Sequence, residues 1–150
     1  ILAIGDPFLR KRIYLNLKKK FPKIIFSNYV HPSALIYNKK KLLNNEGLII
    51  GPNVLIENNV KIGKGCVFNA YSSLFHDVKI GNFCTLSPYS SCLGASELSD
   101  NILLGSHSSL NPKIKISKSI YLGSHANATK DLKISGVYVG SPARKLKKLF

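Results

Sequence analysis

Stepping by six from Ile50, the chain places an apolar residue at Ile50, Ile56, Ile62, Phe68, Leu74, Ile80, Leu86, Cys92, Leu98, Leu104, Leu110, Ile116, Leu122, Ala128 and Ile134. Four positions after each comes a second small or apolar residue, from Val54, Val60 and Cys66 through to Ala126 and Leu132. Only 45% of the residues are hydrophobic, so fifteen consecutive hits are not a chance pattern. An α-helix needs apolar spacings of three and four, and a half-buried strand alternates with period two; six fits neither. It fits a short strand followed by a turn, repeated so that every strand sends side chains into one interior. Three such faces close a triangular coil of about eighteen residues, stacked on the next at about 4.8 Å. The eighteen-residue echo is visible in Lys61-Ile62-Gly63, Lys79-Ile80-Gly81, Lys115-Ile116-Ser117 and Lys133-Ile134-Ser135, with Glu97-Leu98-Ser99 in the gap. Ile62, Ile80, Leu98 and Ile116 are therefore expected to form one interior wall. Gly51, Gly63, Gly81, Gly105 and Gly123, each following an apolar position, are expected where the backbone turns tightly or takes a positive φ.

The ends of the chain break this rhythm. Val30, Ile36 and Leu42 keep the step of six, but the next match is eight residues on, which implies an irregular first coil. Between Pro7 and Lys18, Leu9, Ile13 and Leu17 recur at four-residue steps and predict an amphipathic helix. Ile24-Ile25-Phe26 then reads as a short strand, and Val137 to Pro142 as an extended segment before a basic tail. Three units follow: a short α/β segment over residues 1–29, a β-helix over 30–136, and an extended, basic C-terminal piece over 137–150.

Composition narrows the function. The formal net charge is +15, with Lys and Arg gathered at Arg10 to Lys20, Lys39 to Lys41 and Arg144 to Lys148. Such a balance suits a soluble basic surface, or attraction to polyphosphates or an anionic membrane surface. Nucleic acid is the weakest candidate and no such partner is expected, because the lysines lie at the two ends of the chain and no helix-turn-helix, zinc-finger or aromatic RNA-binding signature accompanies them. No apolar run approaches the roughly 18 residues of a membrane span, and no signal peptide is evident. The chain begins at Ile1 and holds no Met, which reads as a piece of a longer product. Cys66, Cys84 and Cys92 form no C-x-x-C pair and all fall on inward positions, so they read as core residues in a reducing cytoplasm.

The hexads resemble those of the left-handed β-helix acyltransferases over residues 30 to 145. Handedness comes from that resemblance alone, since the general rule for parallel crossovers favours the right-handed form. Within that superfamily the sequence is most similar to the acetyltransferases of bacterial surface sugars, acting on sialic acid or nucleotide-linked amino sugars. Val30-His31-Pro32-Ser33-Ala34, the segment from Asn69 to Asp77, Leu104-Gly105-Ser106, Leu122-Gly123-Ser124 and Val139-Gly140-Ser141-Pro142-Ala143 carry the likeness. Ala3-Ile4-Gly5-Asp6 with Arg10-Lys11 resembles the last strand and helix of that family's N-terminal sugar-nucleotide domain, making residues 1–29 a remnant of it. The resemblance implies an all-β, left-handed parallel β-helix, a homotrimer, and acetyl-CoA as donor to an amino or hydroxyl group of a sugar.

The residues can perform this chemistry. Taking a proton from an attacking amine or hydroxyl suits an imidazole, whose ordinary pKa near 6.5 lies close to working pH. His76 lies two residues after the inward Leu74, hence at a corner facing out, and Asp77 beside it can orient the ring. By resemblance His76 is the base, Asp77 its tuning carboxylate, and Asn69 a hydrogen-bond partner of the acceptor; a plain turn residue is the equal reading of Asn69. Thr85 stands where close relatives carry a second histidine that contacts the acetyl group. Gly94, Gly105, Ser106, Gly123 and Ser124 offer a track of small residues for the pantetheine arm, with plain turn geometry as the alternative. Arg144 and Lys145 are placed to meet phosphates. His107 and His125 are eighteen apart and expected to stack, and their spacing with His76 does not match the three-histidine zinc site of related β-helix carbonic anhydrases. The competing reading of the whole is a structural trimer that has kept the fold and lost the reaction.

Overall fold

The computed structural model describes residues 1–38 and 44–146; Leu42, Lys39 to Lys41 and the tail lysines 147 and 148 lie outside them. The hexads build a parallel β-solenoid whose strands, mostly two residues long, are joined by four-residue turns. Three sheets form its walls. The first runs through Ile50, Phe68, Leu86, Leu104 and Leu122, each in register with the residue eighteen on. The second carries Ile56, Leu74, Cys92, Leu110 and Ala128. The third aligns Ile62, Ile80, Leu98 and Ile116 in one row, which is the expected interior wall. All of these side chains are buried in a single core with Cys66, Cys84 and the other turn residues. At about 1.5–3 kcal/mol for each fully buried aliphatic side chain, this row-by-row burial is what holds the coils together. The first coil advances by twenty residues, Tyr29 pairing Ile49 and Leu35 pairing Leu55, as the broken rhythm implied.

The five glycines lie on the turns between strands, as expected, but they do not take the positive φ. Positive φ recurs every six residues from Asn53 to His125, and only Gly65 in that series is glycine; Tyr71, Asp77, Phe83, Tyr89, Ala95, Lys113 and others hold φ between 53° and 65°. The five glycines two residues earlier in their turns are not among the positive-φ positions. They are there because coils approach closely: a Cβ on Gly63 would stand 2.7 Å from the Gly81 carbonyl carbon, and one on Gly105 2.5 Å from Ser124 N.

The repeat also ends sooner than the sequence suggests. Ile134 does not fill an interior slot; it is 63% exposed, and Leu132 takes the place, bridging Ile116 after sixteen residues instead of eighteen. Gly136, at φ 139°, then enters the first sheet opposite Ile120, in a conformation that only glycine adopts readily. The final segment is extended only through Val139, after which the chain turns back so that Arg144 and Lys145 pair antiparallel with Val139 and Tyr138.

At the other end, a helix spans Pro7–Lys20, capped by Asp6, whose Oδ1 accepts from Leu9 N at 2.6 Å. Its buried face is not the Leu9, Ile13, Leu17 stripe. Arg10 and Tyr14 are buried while Leu9 is exposed. Arg10 spends all five donors: Nε on Gly65 O, one terminal nitrogen on Ile4 O and Gly5 O, the other on Cys84 O and the Thr85 hydroxyl. A buried guanidinium is tolerable because every donor is met. Tyr14 packs on Phe26 and Phe83, and Glu46 ties the cluster by accepting from Tyr14, Phe26 N and Lys18. Partial burial pushes the Glu46 carboxyl up, but those hydrogen bonds outweigh it and hold it below its usual range. No strand forms at Ile24 to Phe26; the first strand is Tyr29–Val30, and of the expected three Phe26 is buried and Ile25 points to solvent.

Candidate active site

His76 sits on the turn between the strands Ser73–Leu74 of the second sheet and Lys79–Ile80 of the third. That turn is clamped from both sides along the stack. From the coil before, Glu57 Oε2 accepts from His76 N at 3.0 Å and Asn58 O accepts from Asp77 N at 3.0 Å; from the coil after, Ala95 N donates to His76 O at 2.9 Å. Asp77 takes the positive-φ position, and its Oδ2 lies 2.9 Å from His76 Nδ1. With a carboxylate as acceptor, Nδ1 carries the proton and Nε2 keeps its lone pair. The hydrogen bond from His76, seconded by one from the Asn59 side chain, holds the Asp77 carboxyl below its ordinary 3.8. The far edge of the ring lies against Gly94, where an added Cβ would stand 2.5 Å from Nε2. The pair is thus an oriented imidazole at an exposed corner, with its Nε2 edge facing Gly94.

The other candidates are distributed over two corners and a wall. Gly94 shares the corner of His76. Gly105, Ser106, Gly123 and Ser124 do not: they lie on the turns between the first and second sheets, with Asn69, so the single expected track divides into two columns at opposite edges of the second sheet. Asn69 Nδ2 donates to Leu86 O at 3.0 Å, and Ser72 donates back to Asn69 O. Thr85 is taken up by the N-terminal segment. It is buried, accepts from Arg10 at 2.8 Å and donates to Gly5 O at 2.7 Å, so the hydroxyl read as an acetyl contact is committed to residues 5 and 10.

Arg144 and Lys145 are exposed and share with Lys130, Lys133 and Tyr138 a hollow of about 360 Å³ at the C-terminal end. Lys130 stands on the same corner as His76, three coils further along the axis, about 14 Å away at the strand spacing. Sequence reasoning passed over Lys130, Lys133, Glu57 and Asn59, although counting by eighteen from His76 through Gly94 and Pro112 reaches Lys130. It also anticipated only half of a longer stack. His107 and His125 lie ring on ring at 4.9 Å, but Tyr89 stacks on His107 at 4.8 Å and Tyr71 on Tyr89 at 4.9 Å. These rings occupy the opposite edge of the second sheet from His76, so the three histidines do not converge. Burial pushes the Cys84 and Cys92 thiols well up, which leaves neither as a nucleophile.

No family model matches the chain. Solved structures do. Perosamine N-acetyltransferase of Caulobacter crescentus, crystallised as a mutant with CoA and GDP-perosamine, superposes with a TM-score of 0.85 at 24% identity, over 95% of this chain and 66% of that one. WeeI from Acinetobacter baumannii gives 0.82 at 26%, over 96% and 68%. AntD, an N-acyltransferase from Bacillus cereus crystallised with dTDP-4-amino-4,6-dideoxyglucose and coenzyme A, gives 0.64 at 20%, over 87% and 88%. The chain spans about two thirds of the length of the first two. Its fold is the hexapeptide-repeat, left-handed β-helix on which such sugar N-acetyltransferases are built.

Proposed function

We propose that the chain carries the catalytic β-helix of an acetyltransferase that moves an acetyl group from acetyl-CoA to the amino group of a nucleotide-linked sugar, as part of bacterial surface glycan synthesis. The observation that carries this reading is His76: an exposed imidazole with Nδ1 fixed on Asp77 and the Nε2 edge of the ring resting on a glycine. In the reaction, the acceptor amine attacks the thioester carbonyl while His76 Nε2 takes its proton. Collapse of the tetrahedral intermediate breaks the carbon–sulfur bond, and His76 returns the proton to the departing thiolate. Asp77 holds the ring in the tautomer the step needs and stabilises the imidazolium between the two transfers.

The reading places the phosphates of the donor at Lys130, Lys133, Arg144 and Lys145, since an extended pantetheine arm matches the distance along the stack from His76 to Lys130. Asn69 and the small residues Gly105, Ser106, Gly123 and Ser124 lie across the second sheet from His76 and reach its chemistry from a neighbouring copy. A homotrimer supplies that neighbour. An open corner exposes one side of the imidazole, and a second subunit provides the opposing wall that excludes water and orients both substrates. Among the described residues no helix is long and apolar enough to cross a membrane, and the free thiols suit a cytoplasmic enzyme.

Product mass spectrometry with acetyl-CoA and a panel of nucleotide-linked amino sugars and sialic acids tests the proposal. One acceptor should gain a single acetyl group, and His76→Ala should lower kcat by about 10²–10⁴-fold, the range of general-base catalysis, with coenzyme A binding retained. Turnover by His76→Ala at the parent rate removes the imidazole from the mechanism. An intact chain that binds no coenzyme A and acetylates nothing supports a structural trimer instead.

A further inference from the structure

The turns between the third and first sheets carry a ladder of caps that stops halfway. Lys64 N donates to Asn82 Oδ1 at 3.1 Å, and Asn82 N donates to Asp100 Oδ1 at 2.7 Å, so each amide is met by an oxygen eighteen residues on. Asp100 repeats the backbone of Asn82, with positive φ at the following Phe83 and Asn101 alike, so its N–H points along the stack in the same way. The next residue in that column is Lys118, whose ammonium donates and cannot accept. Asp100 N therefore meets no acceptor among the described residues. The neighbouring column records the same change. A Cβ on Gly63 would stand 2.7 Å from Asn82 Oδ1, and one on Gly81 2.5 Å from Asp100 Oδ1, so the capping oxygens leave room only for glycine. Where the caps end, the column continues as Ser99, Ser117 and Ser135.

Over this uncapped step lies a hollow of about 750 Å³, with Ser99 and Asp100 on one side and Lys118, Lys133 and Ile134 on the other. It exists because the last coil is short: Leu132 takes the interior slot two residues early, and Ile134 is left outside as an apolar rim. Neither lysine makes an ion pair among the described residues. The Asp100 carboxylate is turned back onto the coil before, where it accepts from Asn82 N and Nδ2. Two ammonium groups, a backbone N–H and serine hydroxyls thus border one space. We propose that this hollow binds a dianionic phosphate group, whose oxygens stand in for the missing cap. A dianion answers two ammonium groups, and turn amides aimed into a concavity are a recurring phosphate cradle. Free phosphate fills only part of the volume, and the remainder, between the Ile134 rim and the Ser117 and Ser135 hydroxyls, suits a sugar esterified to it. Lys133 stands between this hollow and the one at the C-terminal end, but the uncapped amide belongs to this hollow alone. The inference holds whether or not the chain transfers acetyl groups.

The experiment is an amide nuclear magnetic resonance titration of the whole chain with sodium phosphate, and separately with glucose 1-phosphate, against sodium chloride at matched ionic strength. The Asp100 amide should shift saturably with both phosphates and not with chloride. A dissociation constant for glucose 1-phosphate at least about tenfold below that of inorganic phosphate assigns the space beside Ile134 to the esterified sugar; equal constants assign the hollow to free phosphate. Lys118→Met removes one ammonium group and should weaken binding by about ten- to a hundredfold, the loss of one charge-assisted hydrogen bond. Lys118→Asp restores the acceptor that Asn82 and Asp100 give the preceding coils. Its carboxylate should cap the Asp100 amide, leave the rest of the spectrum in place and abolish the saturable shift. If that variant does not fold, Lys118→Met alone carries the test. An Asp100 amide that stays put while the lysines of the third sheet drift together, or binding undiminished in Lys118→Met, overturns the proposal. So does displacement of glucose 1-phosphate by coenzyme A, which would make the hollow part of the acetyl-donor site.

Discussion

The two columns of turns that flank the second sheet have the same backbone and opposite character. In the leading column, Tyr71, Tyr89, His107 and His125 repeat a flat ring at one positive-φ position, coil after coil. In the trailing column the equivalent positions read Asn59, Asp77, Ala95 and Lys113, preceded by Asn58, His76, Gly94 and Pro112. Nothing there repeats. A solenoid sets the geometry of every turn alike, so a column that keeps its residue type is selected for packing between coils, whereas one that changes at each step is free to assemble a site. The proposed catalytic pair, His76 and Asp77, occupies the varied column.

Glycines in the two columns offer the largest test of that contrast. A Cβ on Gly105 would press on the backbone nitrogen of Ser124 at 2.5 Å, and backbone cannot step aside without disturbing the register of the coil above. Gly105→Ala should therefore cost about 1–3 kcal/mol of stability, read as a lowered midpoint in chemical denaturation. At Gly94 the three atoms nearest the same Cβ all belong to the exposed His76 ring, Nε2 first at 2.5 Å. The ring can swing away, so Gly94→Ala should leave the midpoint nearly unchanged and lower kcat/KM by about ten- to a hundredfold through misplacement of the base. Equal losses of stability in both variants would erase the distinction between the columns.

Much of this architecture is legible in the sequence because apolar spacing reports burial directly. The row Ile62, Ile80, Leu98, Ile116 and the twenty-residue first coil follow from counting. Counting fails where the next contact is not local. Ile134 keeps the hexad phase, but the phase carries no information about Gly136, whose φ lets the chain rejoin the first sheet early and gives the interior slot to Leu132. The helix presents Arg10 inward because five acceptors from three separate segments converge on it, a fact invisible in a wheel of Leu9, Ile13 and Leu17. The same convergence consumes Thr85. His76 and Asp77 were readable as adjacent polar residues at an outward corner; the clamp from Glu57, Asn58 and Asn59 one coil before was not, because it depends on the stacking register.

Within the varied column, Asp77 separates orientation from charge. Its carboxyl is held below its ordinary 3.8, first by the hydrogen bond from His76 and then by Asn59. A depressed carboxyl pKa means that the ionised form persists as pH falls and is lost only below the usual range. Between pH 5 and 8 Asp77 is therefore a constant anion, and any acid limb of kcat/KM in that window belongs to an imidazole. Asp77→Asn should lower kcat by about tenfold through loss of the oriented tautomer, with the acid limb retained. A limb that vanishes altogether in Asp77→Asn would assign the titration to the carboxylate.

The uniform column gives the smallest effect and the cleanest one. Tyr89 holds φ 60°, which costs any side chain bearing a Cβ something, but Ala95 holds φ 58° in the adjacent column, so alanine is no worse at this backbone than tyrosine. Tyr89→Ala accordingly isolates the loss of two ring contacts, 4.9 Å to Tyr71 and 4.8 Å to His107. Aromatic pairs contribute about 0.5–1.5 kcal/mol beyond area burial, and these rings are partly wet, so a loss of about 1 kcal/mol is expected. No change would mean that the rings stack only because the turns place them so, without adding to stability.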